Sequence, residues 1–173
     1  MINFIINSGS SFFSLRENLV FFLLNKGENI KIYSPNNIKK IEKKFKKKNL
    51  TVQKLNLSGN KENIKSLLVN CYNFYNKLKI KPREINIIFG SYLNLVFGLV
   101  SLLRKSKQNI FVFTGLGSYF NQKNKISVFF LKYIYNLILS KKNSFFIFYN
   151  SADRDLIVKK NLIEKTKIIL GSG

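Results

Sequence analysis

The residue types that most often carry catalysis are sparse in this chain of 173 residues. Histidine is absent, which excludes Ser-His and Cys-His nucleophilic pairs and histidine metal ligands. Cys71 is the single cysteine, so it cannot form an internal disulfide, and we interpret it as a buried, inert thiol. Among the acidic residues, only Asp153 and Asp155 lie close together. The sequence therefore predicts no metal site, no carboxylate dyad and no cofactor.

A glycine-containing turn, NSGSS at residues 7–11, follows the first apolar run. Gly9 permits close backbone approach there, and with Ser10 it precedes a helix whose free N–H groups and dipole favour phosphate. A turn that only caps its helix explains the same residues equally well. Arg16, in the first turn of the expected helix, is a candidate phosphate clamp, although a surface position fits its spacing equally well.

A second glycine-containing turn, TGLGSYF at residues 114–120, follows a later apolar run. Gly115 and Gly117 predict a sharp turn with an open backbone. Tyr119 and Phe120 behind the glycines indicate the mouth of a lined pocket. A purely structural turn also accounts for the glycines, so both interpretations stay open at this point.

Positive charge is concentrated in one short segment of a chain whose formal net charge is +22. Residues 39–48 are rich in lysine, with Ile38, Ile41 and Phe45 interleaved at helical spacing. We expect the apolar stripe to face the domain and the lysines to face either solvent or an anionic membrane surface. No groove-fitting element with base-reading side chains is evident, so no nucleic acid is expected as a partner. The lysines of this lysine run are Lys39, Lys40, Lys43, Lys44, Lys46, Lys47 and Lys48.

Short β-rich segments alternate with longer helical patterns along the chain. The expected strands span residues 2–6, 30–33, 51–55, 85–89, 110–114, 145–149 and 167–170. The expected helices span residues 13–26, 37–47, 60–79, 93–104, 126–140 and 153–161. Gly27 is expected to close the first helix, and Asp153 is expected as the N-cap of the last in preference to acid/base chemistry.

This alternation predicts an α/β fold: a Rossmann-like, mostly parallel sheet with helices on both faces, formed by residues 1–173 as one domain. In such folds ligands bind outside the carboxyl ends of the strands, where both glycine-containing turns fall. The apolar stretches 92–103 and 126–139 are shorter than the roughly 20 residues that span a bilayer. The N-terminus has the pattern of a strand and not of a signal peptide, so we expect a cytoplasmic protein.

Several segments together resemble the N-terminal domain of bacterial family 4 type glycosyltransferases of the GT-B fold. The glycine-leucine-glycine loop with an aromatic residue behind it is similar to the branch that transfers sugars to polyprenyl-diphosphate-linked acceptors. The resemblance covers nearly the whole chain. Its carriers are residues 2–35, NLVFGLVSLL, FTGLGSYF, FIFYNSADRDLIVKKNLI and the closing IILGSG.

The resemblance implies one GT-B half-domain that holds a lipid-linked glycan acceptor, while the C-terminal domain with the nucleotide-sugar site is expected on another chain or is missing through truncation. Leu15 and Phe89 stand where many relatives carry histidine, so no catalytic histidine is transferred from the family. The acceptor-site or scaffold positions that the resemblance implies are Gly9, Ser10, Arg16, Gly115, Gly117, Tyr119, Phe120 and Asn150.

Three functions follow from these observations as hypotheses. The first is the acceptor-binding half of a glycosyltransferase, peripheral at the inner face of the plasma membrane and completed by a separate donor-binding domain. The second is a non-catalytic peripheral membrane protein that uses the lysine run. The third is a nonfunctional gene remnant.

Overall fold

The computed structural model describes residues 1–45, 49–57, 64–78, 81–116 and 125–169. The strands are Ile2–Ile6 (β1), Ile30–Ser34 (β2), Leu50–Lys54 (β3), Ile85–Phe89 (β4), Gln108–Phe113 (β5), Ser144–Phe148 (β6) and Thr166–Ile168 (β7). The helices are Gly9–Leu15 (α1), Glu17–Asn25 (α2), Ile38–Phe45 (α3), Ile64–Lys77 (α4), Ser91–Leu103 (α5), Lys125–Ser140 (α6) and Ser151–Ile157 (α7). A 3₁₀ helix, Lys160–Lys165, lies between α7 and β7.

Within the described residues the strands form one sheet in the order β3-β2-β1-β4-β5-β6-β7, and every pairing is parallel. Alternate side chains of the strands point to opposite faces, so Phe4 of β1 packs in one apolar core and Ile5 in the other. Phe12 of α1 lies in the first core, together with side chains of α2 and α3. Phe74 of α4 lies in the second core, together with α5, α6 and α7. The predicted α/β, Rossmann-like sheet with helices on both faces is confirmed.

The expected helix at residues 13–26 is wrong in two respects. The helical backbone begins earlier, at Gly9, with the Ser8 side chain accepting a hydrogen bond from the Ser10 N–H at 3.2 Å. It is also interrupted at Arg16, whose backbone (φ −127°, ψ −11°) leaves the helical region. Gly27, with φ +81°, follows the end of α2 as predicted, because glycine adopts this left-handed conformation at no steric cost.

The order of the strands creates a reversal between β1 and β4. From β1 the chain proceeds to β2 and β3 on one side, and then returns to place β4 on the opposite side of β1. In open α/β sheets such a reversal is the usual position of a ligand-binding crevice, because the connections that leave the two strand ends diverge. We call the carboxyl ends of β1 and β4, with the residues that follow them, the switch-point edge.

The length of the helices that the two longest apolar stretches of the sequence form decides whether they could span a membrane. The sixteen residues of α6 are fewer than a span requires. Over the ranges that the structure describes, no helix meets both the length and the apolarity needed to traverse a bilayer.

Candidate functional site

The switch-point edge begins where β1 and β4 end. Asn7 follows β1 and is exposed, while Gly90 follows β4 and is buried. Gly90 has φ +101°, and a Cβ there would lie 2.8 Å from Asn7 Nδ2. The left-handed conformation therefore favours glycine at position 90, and a Cβ there would also displace the Asn7 side chain.

Arg16 supplies a buried cation at this edge. The interruption between α1 and α2 lets its side chain pack on Phe89, the last residue of β4, with 4.3 Å between Arg16 Cζ and the ring centroid. Burial lowers the pKa of the Arg16 guanidinium, and the nearby Tyr149, which follows β6, acts in the opposite direction. Arginine nevertheless stays protonated at neutral pH, so a fixed positive charge lies at the carboxyl end of the sheet.

The first glycine-containing turn uses much of its hydrogen-bonding capacity within the protein. The Gly9 N–H donates to Asn36 Oδ1 at 2.7 Å, and Asn37 Nδ2 approaches Ser10 Oγ at 3.4 Å. A Cβ at Gly9 would lie 2.7 Å from the Asn36 carbonyl oxygen. The close approach that Gly9 permits is thus to the turn after β2, and this contact fixes the start of α1.

The second glycine-containing turn is joined to the switch-point edge through α5. Ser91, the first residue of α5, donates from Oγ to the Gly115 carbonyl oxygen at 2.6 Å. Gly115 has φ +146°, and no atom lies within 4 Å of a Cβ built there, so its conformation alone requires glycine. Leu116 is buried in the core of the α4–α7 face. Three predicted positions, Gly117, Tyr119 and Phe120, lie outside the described residues.

Asn150 lies after β6, two strands away from β4, and acts as the N-cap of α7. Its Oδ1 accepts from the Asp153 N–H at 2.7 Å, and its Nδ2 donates to Asp153 Oδ2 at 3.0 Å. The N-cap is Asn150, so the prediction that Asp153 is the N-cap was wrong. Asp153, three residues later, accepts the hydrogen bond that the Asn150 side chain donates. The predicted helix at 153–161 likewise ends earlier, at Ile157.

The part of the lysine run that the structure describes lies in α3, on the opposite face of the sheet from α4–α7. Ile41 and Phe45 are buried in the core with α1 and α2, which confirms the predicted orientation of the apolar stripe. Lys44 pairs with Glu17 of α2 at 2.8 Å. Lys39, Lys40 and Lys43 are exposed, whereas Lys46, Lys47 and Lys48 lie outside the described residues.

Sequence reasoning missed three parts of the edge: Gly90, Ser91 and Tyr149. Gly90 directly follows β4 and Ser91 is the next residue, which is where a parallel sheet presents ligand-binding residues, so their location was available as a signal. Tyr149 directly follows β6, but the predicted strand at 145–149 included it. The structure brings Arg16, the first turn and, through Ser91, Gly115 to one edge. It leaves Asn150 farther along that edge.

A groove lies at the opposite, amino-terminal edge of the sheet. This groove has a volume of about 360 Å³ and contains Lys107, Lys142 and Lys165 together with Glu164. Its basic side chains also suit an anion, but it lies away from the strand ends where α/β sheets bind ligands. This groove is therefore the alternative anion-binding site, and an experiment has to distinguish it from the switch-point edge. Within the described ranges, no three His, Cys, Asp or Glu side chains converge as metal ligands.

Comparison with known proteins adds no functional assignment. No family model matches the chain, and no significant match is found among curated proteins.

Proposed function

We propose that this chain is the acceptor-binding half of a glycosyltransferase that moves a sugar from a nucleotide sugar to a polyprenyl-diphosphate-linked or other surface glycan acceptor. A second domain, supplied by a partner chain in the arrangement we favour, binds the nucleotide sugar. The observation that carries the proposal is the buried Arg16 at the switch-point edge of a Rossmann-like sheet.

The chemistry of the acceptor suits this position. A diphosphate needs compact positive charge, and a guanidinium donates two parallel hydrogen bonds to phosphate oxygens. Packing against Phe89 limits the rotamers of Arg16, so less conformational entropy is lost when an anion binds. Asn7 and Ser91 flank the crevice with polar groups that suit a sugar hydroxyl.

In this proposal the chain contributes binding and orientation. Arg16 holds the diphosphate, and the turns that follow β1 and β4 position the first sugar toward the donor. Sugar transfer then depends on a donor-binding domain closing over the crevice, because the reacting groups must be held about 3–3.5 Å apart.

The test is a calorimetric titration of the chain with farnesyl diphosphate, a short soluble prenyl diphosphate. Arg16→Met keeps an unbranched apolar side chain on Phe89 but removes the charge. We expect about tenfold to a hundredfold weaker binding, since a charge-assisted hydrogen bond contributes about 1.5–3 kcal/mol. Arg83→Met is the matched control, because Arg83 is exposed in the turn that precedes β4 at the opposite edge.

Thermal denaturation of both variants separates a binding defect from a folding defect. If folded Arg16→Met binds farnesyl diphosphate as tightly as the parent, or if Arg83→Met loses as much affinity, the proposed acceptor site is wrong.

A non-catalytic membrane-surface protein is the second candidate, favoured by the exposed lysines of α3. Co-expression with a candidate donor-binding domain and a polyprenyl-linked acceptor distinguishes the two, because only the first hypothesis yields a glycosylated lipid.

A further inference from the structure

The side chains of α4, α5 and α6 that point away from the sheet form an unusually apolar surface, which we call the outer face. Soluble proteins expose large apolar side chains singly, whereas most of those exposed among the described residues gather on these three helices. Tyr72 of α4 is 70% exposed and Phe129 of α6 is 68% exposed. Further members of the outer face are Leu68, Tyr75, Leu103 and Tyr133.

The helical periodicity shows that these side chains point outward. In α6, Tyr135, Ile138 and Leu139 are buried in the core, while Phe129 and Tyr133 lie on the opposite side of the same helix. In α4, Phe74 and Asn70 are buried, and the exposed positions again lie opposite. The exposed residues therefore form a second apolar face of each helix, separate from the face that packs in the core.

The three helices are fastened side by side, which makes the outer face one surface. Arg104, after α5, donates to the Leu78 carbonyl oxygen after α4 at 2.7 Å. Lys141, after α6, donates to the Ser101 carbonyl oxygen of α5 at 2.7 Å. Between α4 and α5 runs an apolar groove of about 490 Å³ that Leu68, Tyr72 and Leu103 line.

Charge identifies the class of partner. The sequences of α4, α5 and α6 contain no aspartate or glutamate, and Lys65, Lys77 and Lys132 accompany the apolar side chains. A second copy of this chain would bring two strongly positive molecules together, since each carries a net charge of +22. An anionic partner complements this surface, and a copy of the chain does not.

We propose that the outer face lies on an anionic lipid bilayer, with aromatic rings among the headgroups and lysines over lipid phosphates. Tyrosine and phenylalanine beside lysine are the side chains that suit the membrane interface, where an apolar body and a polar or charged tip are both satisfied. The contact would be made by α4, α5 and α6, and not by the lysine run, because α3 packs on the opposite face of the sheet.

This contact stands independently of the glycosyltransferase proposal. Arg16 lies on the other face of the sheet, with α1–α3, so the outer face and the proposed acceptor site are tested separately.

Flotation with phosphatidylglycerol-containing phosphatidylcholine vesicles tests the inference. The double variant Tyr72→Ser with Phe129→Ser removes two outer-face rings, and we expect its partitioning to fall about tenfold. Leu19→Ser with Phe22→Ser is the matched control, because both residues are exposed on α2, which packs on the other face of the sheet. The control is expected to partition like the parent.

A third variant, Lys39→Gln with Lys40→Gln and Lys43→Gln, tests the lysine run and is expected to retain most binding at moderate salt. The inference is overturned if the parent does not float, if the α2 control loses as much as the outer-face variant, or if the α3 variant alone abolishes flotation.

Size-exclusion chromatography tests whether a second copy of the chain covers the outer face instead. The inference is wrong if the parent is a dimer and the double variant Tyr72→Ser with Phe129→Ser is a monomer. Flotation without farnesyl diphosphate binding would leave this inference standing and remove the proposed function.

Discussion

Arg16 Cζ lies 4.3 Å from the centre of the Phe89 ring, so the residue that interrupts the first helical segment is fixed to the last residue of β4. The contact ties α1 and α2 to the strand on the far side of the reversal in strand order. It also holds a positive charge at the switch-point edge. Both the local fold and the proposed acceptor site depend on this pair.

We predict measurable coupling between these two residues. In a double-mutant cycle with Arg16→Met and Phe89→Leu, the two losses of unfolding free energy should be non-additive by about 1 kcal/mol, because a partly desolvated cation–π contact contributes about that much. Urea denaturation of the four proteins measures it. Additive losses would mean that Arg16 and Phe89 are neighbours without an energetic link.

Two glycines should respond to alanine for different reasons. Gly115→Ala places a side chain at φ +146° in open space, and we expect a loss of about 1 kcal/mol from backbone strain alone. Gly9→Ala meets the Asn36 backbone at 2.7 Å, and we expect a loss of about 1–3 kcal/mol, because the turn after β2 has to move.

Farnesyl diphosphate titration on the same preparations distinguishes the sites. Gly9→Ala should weaken binding because it displaces the start of α1, the helix whose C-cap is Arg16, whereas Gly115→Ala should affect binding only as far as it affects folding. A folded, stable Gly115→Ala that no longer binds would place the ligand on the second turn instead.

The fold was predictable because it rests on patterns that the sequence displays directly. Alternating β-rich and helical segments gave every strand to within a few residues, and Gly27 marked the end of α2. The interruption at Arg16 was not predictable, since no proline or glycine lies there and the side-chain contact that accompanies it is with Phe89, more than seventy positions away in the chain.

Polar residues inside strands show the same limit. Asn3, Asn86 and Asn109 lie side by side on β1, β4 and β5, and their amides join across the sheet at 2.8 and 2.9 Å. The local sequence of one strand does not indicate that its asparagine bonds to an asparagine on the neighbouring strand. The exposed apolar face of α4 could not be predicted for a related reason. Periodicity alone does not distinguish a stripe that faces the core from a second apolar side of the helix.

Asn150 should behave as a structural cap. Asn150→Ala removes the acceptor for the Asp153 N–H, and we expect the free energy of unfolding to fall by about 0.5–2 kcal/mol. Asn150→Ser, which keeps a capping oxygen, is the matched control and should recover most of the loss. Chemical denaturation reports the stability. If Asn150→Ala leaves stability unchanged but weakens farnesyl diphosphate binding, the residue belongs to the acceptor site.

Cys71 lies half-buried in the groove between α4 and α5, and burial raises the pKa of its thiol. The neutral thiol is the form that the fold favours. The free energy that the protonated Cys71 thiol contributes to folding is therefore fully present below the ordinary thiol pKa, and it is lost as the pH rises through the raised pKa. We predict that alkylation by iodoacetamide at pH 8 is slower than for a free cysteine. The stability of the parent relative to Cys71→Ala should decline above about pH 9. Fast alkylation at pH 8 and a flat stability difference would contradict this environment.

The location of the bound diphosphate is the most direct test of the account. In a ¹⁵N spectrum titrated with farnesyl diphosphate, we predict that the amide signals of Asn7, Gly90 and Arg16 shift together with one affinity, and that Arg16→Met weakens that shared affinity. The competing groove at the amino-terminal edge reports through the amides of Lys107, Lys142 and Ser144, which should stay in place. Shifts confined to Lys107, Lys142 and Ser144, with Asn7 and Gly90 unmoved, would contradict the assignment of the switch-point edge as the acceptor site.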